Sequence, residues 1–142
     1  MFYLSICQLC SAQSENPFLN IRLSFLIFPF TPLLSVEART FHKFTVQGET
    51  NFRNTHGFNV KYYLKSRMDK DYIFAGTAFV QNVLLRVDKK STYLPYLGYG
   101  YAHRFGSSRQ WVFDSRIGLG ATTNADKNGI YPIIKTGLGR TF

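Results

Sequence analysis

The strongest constraint on this chain is a two-residue alternation of apolar and polar side chains that recurs from about residue 19 to Phe142. Successive side chains of a β-strand point to opposite faces, so this period predicts strands. In 19–28, Leu19, Ile21, Leu23, Phe25 and Ile27 share one face, opposite Asn20, Arg22 and Ser24. In 33–40, Leu34, Val36 and Ala38 oppose Ser35, Glu37 and Arg39. In 43–51, Phe44 and Val46 oppose Lys43, Thr45, Gln47, Glu49 and Asn51. In 57–65, Phe58, Val60, Tyr62 and Leu64 oppose Asn59, Lys61, Tyr63 and Lys65. The same pattern returns in 95–105, 110–120 and 130–142, whereas 71–80 is apolar on both faces and gives no register. With no amphipathic helix between them, these segments read as about eight strands. Turn-forming stretches such as SRMDK, GSSR and TTNADKNG separate them. The short links 41–42, 66–70 and 106–109 alternate with the longer 52–56, 81–94 and 121–129; link 29–32 breaks that rhythm.

A chain of 142 residues, 17% of them aromatic, suits one β-rich domain. The net charge of +9 invites a nucleic-acid reading, but the basic residues are scattered, at most in pairs such as Lys89-Lys90. Aromatic and basic side chains also fall mostly on opposite faces, so no nucleic-acid partner is expected. Cys7 and Cys10 lie in an apolar opening stretch that reads as an export signal over residues 1–12, cut before Gln13, leaving 13–142 as the barrel domain. No positive charge precedes that stretch, as in a truncated start. The apolar run 23–36 is shorter than the roughly 20 residues of a spanning helix and holds Pro29 and Pro32; two strands joined by a turn are expected, with a helical hairpin as the alternative.

Alternation alone does not say which face is inside. In a water-soluble barrel or sandwich the apolar faces meet in a core; in a membrane barrel they meet lipid and the polar faces line the lumen. Three features favour the membrane. The polar faces carry both signs of charge, and Arg22, Glu37, Arg39, Lys43, Glu49, Lys61, Asp114, Arg116 and Lys135 are expected to form a paired lumen network. Glycines repeat as Gly98/Gly100, Gly118/Gly120 and Gly137/Gly139 on the polar side, where they let backbones approach inside a narrow cylinder. Aromatics gather near strand ends, with Phe105, Trp111 and Phe142 at one rim and Tyr93, Tyr96 and Tyr131 near the other.

The alternating last strand ending in Phe142, after hairpins with alternately short and long links, resembles the small eight-stranded outer-membrane barrels of Gram-negative bacteria, represented by the OmpA transmembrane domain and the OmpX-type proteins. The resemblance covers roughly residues 19–142 as architecture. It implies an all-β fold, an antiparallel up-and-down transmembrane β-barrel of about eight strands in the bacterial outer membrane. It further implies outer-membrane lipid and lipopolysaccharide as surroundings and the barrel-assembly machinery as a partner during insertion. Ile134, Leu138 and Phe142 match the family's assembly signal, while Thr136 and Arg140 depart from it.

No constellation carries obvious chemistry. His42, His56 and His103 share no ligand spacing, so no metal or cofactor is expected. His103 with Ser107, Ser108 and Asp114 superficially matches a lipid A deacylase set, but Asp114 falls on the face opposite His103. The expected role is therefore structural or surface-interacting rather than catalytic. Lys89 and Lys90, with Arg53, Arg86 and Lys127, are candidate contacts for lipopolysaccharide phosphates. The alternatives are a soluble β-barrel binding a small apolar ligand and a lipid A-modifying barrel enzyme.

Overall fold

A computed structural model describes residues 18–27, 31–65, 68–81, 91–122 and 129–142. Its eight strands are β1 Leu19–Leu26, β2 Thr31–Phe41, β3 Phe44–Thr50, β4 Thr55–Tyr63, β5 Lys70–Gln81, β6 Ser91–Phe105, β7 Trp111–Ala121 and β8 Ile130–Thr141. Each pairs antiparallel with the next in sequence, and β1 pairs with β8, so the sheet closes into an up-and-down barrel. Closure leaves no strand edge unpaired. At the seam the backbone N–H groups of Phe18 and Leu19 donate to the Phe142 carbonyl at 3.0 and 3.2 Å, and Phe142 N–H donates back to the Leu19 carbonyl at 2.8 Å.

The run 23–36 that left a helical hairpin open contributes to β1 and β2 on both described flanks. β5 and β6 reach further than expected, narrowing the 81–94 link to 82–90. Pro95, where the expected strand began, lies inside β6 opposite Thr77 with its ring facing outward. The segment of unclear register resolves with Tyr72, Phe74 and Ala78 inward and Ile73, Ala75 and Thr77 outward.

Two rims can be distinguished. The lower holds the β2–β3, β4–β5 and β6–β7 links together with Phe18, Phe105, Trp111 and Phe142; the upper holds the remaining links. Outward positions around the whole circumference are large and apolar, including Leu23, Val36, Phe58, Ile73, Leu97, Ile117 and Leu138. The inward positions are filled rather than open. Toward the upper rim they are mostly apolar, with Leu33, Phe74, Ala78, Tyr96 and Ile133 buried and Leu26, Val80 and Leu94 packed against them. Toward the lower rim they are mostly polar or charged.

Glycine makes room for this filling at β6. A Cβ on Gly98 would meet Phe74 Cζ at 2.7 Å and the Gly118 backbone at 2.6 Å, and one on Gly100 would run into the Tyr72 ring. The two aromatic rings of β5 fill the bore because β6 presents no side chain opposite them.

Candidate functional site

The distinctive chemistry lies inside the barrel. Strands β1, β2, β3, β4, β7 and β8 each place charged or hydrogen-bonding groups on their inward-facing alternation, and an eight-stranded bore is just wide enough for side chains from facing walls to meet. Two carboxylates anchor the lower cluster. Glu37, on β2, pairs with Arg22 of β1 and with Lys61 Nζ of β4 at 3.0 Å. Its Oε1 also accepts from the Thr45 hydroxyl at 2.6 Å and the Tyr63 phenol at 2.9 Å. Asp114, on β7, receives Arg22 Nη1 at 2.6 Å, Lys61 Nζ at 3.3 Å and the Tyr72 phenol at 2.7 Å. Lys61 thus ties β2 to β7 across the lumen, with its ammonium 4.4 Å from the centre of the Tyr72 ring.

Higher up, Glu49 on β3 pairs with Arg116 of β7 and with Lys135 Nζ of β8 at 2.5 Å, and it accepts from Gln47 Nε2 at 2.8 Å. Arg116 Nε lies 3.8 Å from Asp114, linking the two clusters. Charges this deep in a low-dielectric interior are tolerated only when paired and hydrogen-bonded. Seven expected network residues are brought together: Arg22, Glu37, Glu49, Lys61, Asp114, Arg116 and Lys135.

Two are not. Lys43 stands in the turn between β2 and β3, where its Nζ donates to the exposed Leu64 carbonyl at 2.8 Å. Arg39 faces inward and is partly buried, but no carboxylate among the described residues lies within ion-pairing distance. Both stand at the lower end of the β2–β3 hairpin, where the register shifts between Arg39 and Phe41 and the chain turns. The aromatic reading also needs correction. Phe105, Trp111 and Phe142 face outward at the lower rim, and Tyr93 faces outward near the upper one. Tyr96 instead points into the lumen, where its hydroxyl accepts from Asn59 at 3.4 Å, and Tyr131 shares that inward face.

Ile134, Leu138 and Phe142 line up on the outward face of β8, where Arg140 Nη2 donates to Gln110 Oε1 at 3.0 Å. His103 lies outward between the rings of Tyr101 and Phe105, while Asp114 is sealed inside, so the deacylase-like set is not assembled. The expected lipopolysaccharide contacts Lys89 and Lys90, along with Arg86, Lys127 and the 1–12 segment, lie outside the described residues. Among the described residues no group of His, Cys, Asp or Glu is arranged to hold a metal ion.

Sequence reasoning missed the phenols of Tyr63 and Tyr72, which complete the two carboxylate shells. Tyr63 was visible as an inward period-two neighbour of Lys61, but Tyr72 lay in the segment without a register. It also missed Asp69, a buried carboxylate in the β4–β5 turn that pairs with Arg109 of the β6–β7 turn at 2.5 Å and accepts from the Arg104 backbone N–H at 3.2 Å. This clasp fastens adjacent turns at the lower rim. Comparison with protein-family models, with curated proteins and with solved structures found no match to this chain.

Proposed function

We propose that this chain is an integral β-barrel of a Gram-negative outer membrane, similar to the OmpA and OmpX-type barrels, with a structural or surface-interaction role and no catalysis. The observation that carries the reading is the sidedness of the wall: ionised groups are buried in the lumen while large apolar side chains cover the exterior. A water-soluble barrel of this composition would hold the reverse arrangement, because exposing so much contiguous apolar surface to water favours association.

The exterior also has the vertical order of a membrane belt. Along β6, the outward residues Tyr93, Pro95, Leu97, Tyr99 and Tyr101 are all apolar or aromatic. At a rise of about 3.4 Å per residue and a tilt of about 40°, that stretch is roughly 20 Å tall, close to the apolar band of outer-membrane barrels. Charged and imidazole groups on the outer wall sit near its edges, with the hydroxyl of Thr77 facing outward within it. Asp71, opposite Tyr101, takes a hydrogen bond from the Tyr99 phenol and lies 3.6 Å from Lys65, and His56 bonds Thr50 at 2.9 Å near the upper rim. Aromatic rings at the lower rim suit the interface between hydrocarbon and headgroups.

Cell fractionation and a gel run on unboiled and boiled samples test the reading. The protein is expected in the outer-membrane fraction, resistant to alkaline carbonate, with its gel mobility changed by boiling. Recovery as a soluble species without detergent would defeat the proposal in favour of the soluble carrier. Release of fatty acid from lipopolysaccharide by the purified protein, lost in His103→Ala, would replace the non-enzymatic role. Charge reversal at Lys89 and Lys90 is expected to weaken lipopolysaccharide association; unchanged association would remove that contact.

A further inference from the structure

We propose that the lower half of the lumen holds a small monovalent anion of the chloride class, bound by Asn20, Arg39 and Arg22. Two independent observations meet there. The first is unmet hydrogen-bonding capacity. Asn20 is completely buried, and neither its Oδ1 nor its Nδ2 has a hydrogen-bond partner among the described residues; the same holds for the buried Arg22 Nε and Arg39 Nη1. Buried polar atoms are seldom left unserved, since each orphan costs its full desolvation.

The second is charge. Counting the inward-facing Arg39 beside the described network residues, five cations, Arg22, Arg39, Lys61, Arg116 and Lys135, stand against three carboxylates, Glu37, Glu49 and Asp114. The excess is one cation in each half: Arg116 and Lys135 share Glu49 above, while below Arg22 and Lys61 are matched by Glu37 and Asp114 and Arg39 has no acid of its own among the described residues. Register sets Asn20 between the two arginines, which lie on either side of the Asn20–Glu37 pair. Asn20 is opposite Glu37, and Arg39 lies two residues further along β2; Arg22 is two residues above Asn20 on β1. Such diagonal and same-face positions lie about 7–8 Å apart, within the span of an arginine reaching toward a shared centre. The hydroxyls at the same level are already committed, Thr141 donating to the Gln110 carbonyl at 3.0 Å and Thr45 to Glu37 at 2.6 Å, so Asn20 and the two arginines carry the free donors. The free groups are mainly donors and the local field is positive, which selects an anion over a cation. The narrow bore selects a small one. The inference depends on the barrel interior alone and stands whether the outer face meets lipid or water.

The test uses the purified full chain in detergent micelles. Unfolding midpoints are measured at fixed ionic strength with chloride, bromide or gluconate, the last too large for the bore. Chloride and bromide are expected to raise the midpoint saturably and gluconate not to. Arg39→Gln should weaken the halide constant by about tenfold, as expected for loss of one charge-assisted hydrogen bond. Asn20→Leu should reduce the halide response as well. Since either variant could misfold, crystals of the unaltered protein grown in bromide supply a second reading: an anomalous peak within hydrogen-bonding distance of Asn20 Nδ2 and Arg39 Nη1 supports the site. A midpoint indifferent to halide, or water at that position with no bromide peak, overturns it.

Discussion

The network inside the barrel makes individual residues unequal in a way burial alone does not reveal. Glu37 accepts from four groups on three strands, so replacing its carboxylate leaves the buried Arg22 and Lys61 to share the single counter-charge of Asp114. Glu37→Gln should lower unfolding free energy by about 3–5 kcal/mol, the usual result of breaking a buried pair from one side. Fluorescence of Trp111, the single tryptophan, monitored through urea unfolding would report it. Gly100→Val tests filling instead of charge: the new side chain would displace the Tyr72 ring and pull its phenol from Asp114. The expected loss is about 1–3 kcal/mol from overpacking, and more where the hydrogen bond is lost too. Polarity was readable at this scale, and it located Arg22, Glu37, Lys61 and Asp114 on one face. Pairing was not, because Lys61 meets Asp114 across the bore at a separation in sequence that no local pattern encodes.

Among elements, the strands with one greasy and one polar side were legible because each face meets a different medium. β5 was not: its inward Tyr72 and Phe74 serve as filler, and a narrow bore demands volume as much as polarity. The lower end of the β2–β3 hairpin misled for another reason. The alternation of β3 was read one residue too far, and Lys43 lies in the turn beside a register shift near Thr40, donating to the Leu64 carbonyl instead of entering the lumen. A depth-dependent substitution pair tests the exterior of the strands. Ile117→Arg, mid-wall on β7, should cost about 2–4 kcal/mol in bilayers, whereas Phe105→Arg at the lower rim should cost roughly 0–1 kcal/mol. Equal costs measured by reversible folding into lipid vesicles would count against the belt.

For the whole molecule, stability depends on a seam that brings the two ends of the described chain together. Leu19→Pro removes an N–H that donates to the Phe142 carbonyl without touching the lumen. The folded, fast-migrating form should be depleted on an unboiled gel, while the same substitution at an exposed turn position such as Ser107 should leave it intact. Closure itself was legible only as an even number of alternating segments; the β1–β8 pairing joins residues more than a hundred positions apart, and no local signal spans that distance.

The apolar layer near the upper rim has an electrical meaning. An ion travelling down the bore would have to shed hydration beside Leu94 and Ile133, which offer it no compensating group. In a planar-bilayer recording the cylinder should therefore act as an insulating post, and shaving Leu94 and Ile133 to alanine should be what first makes it leak.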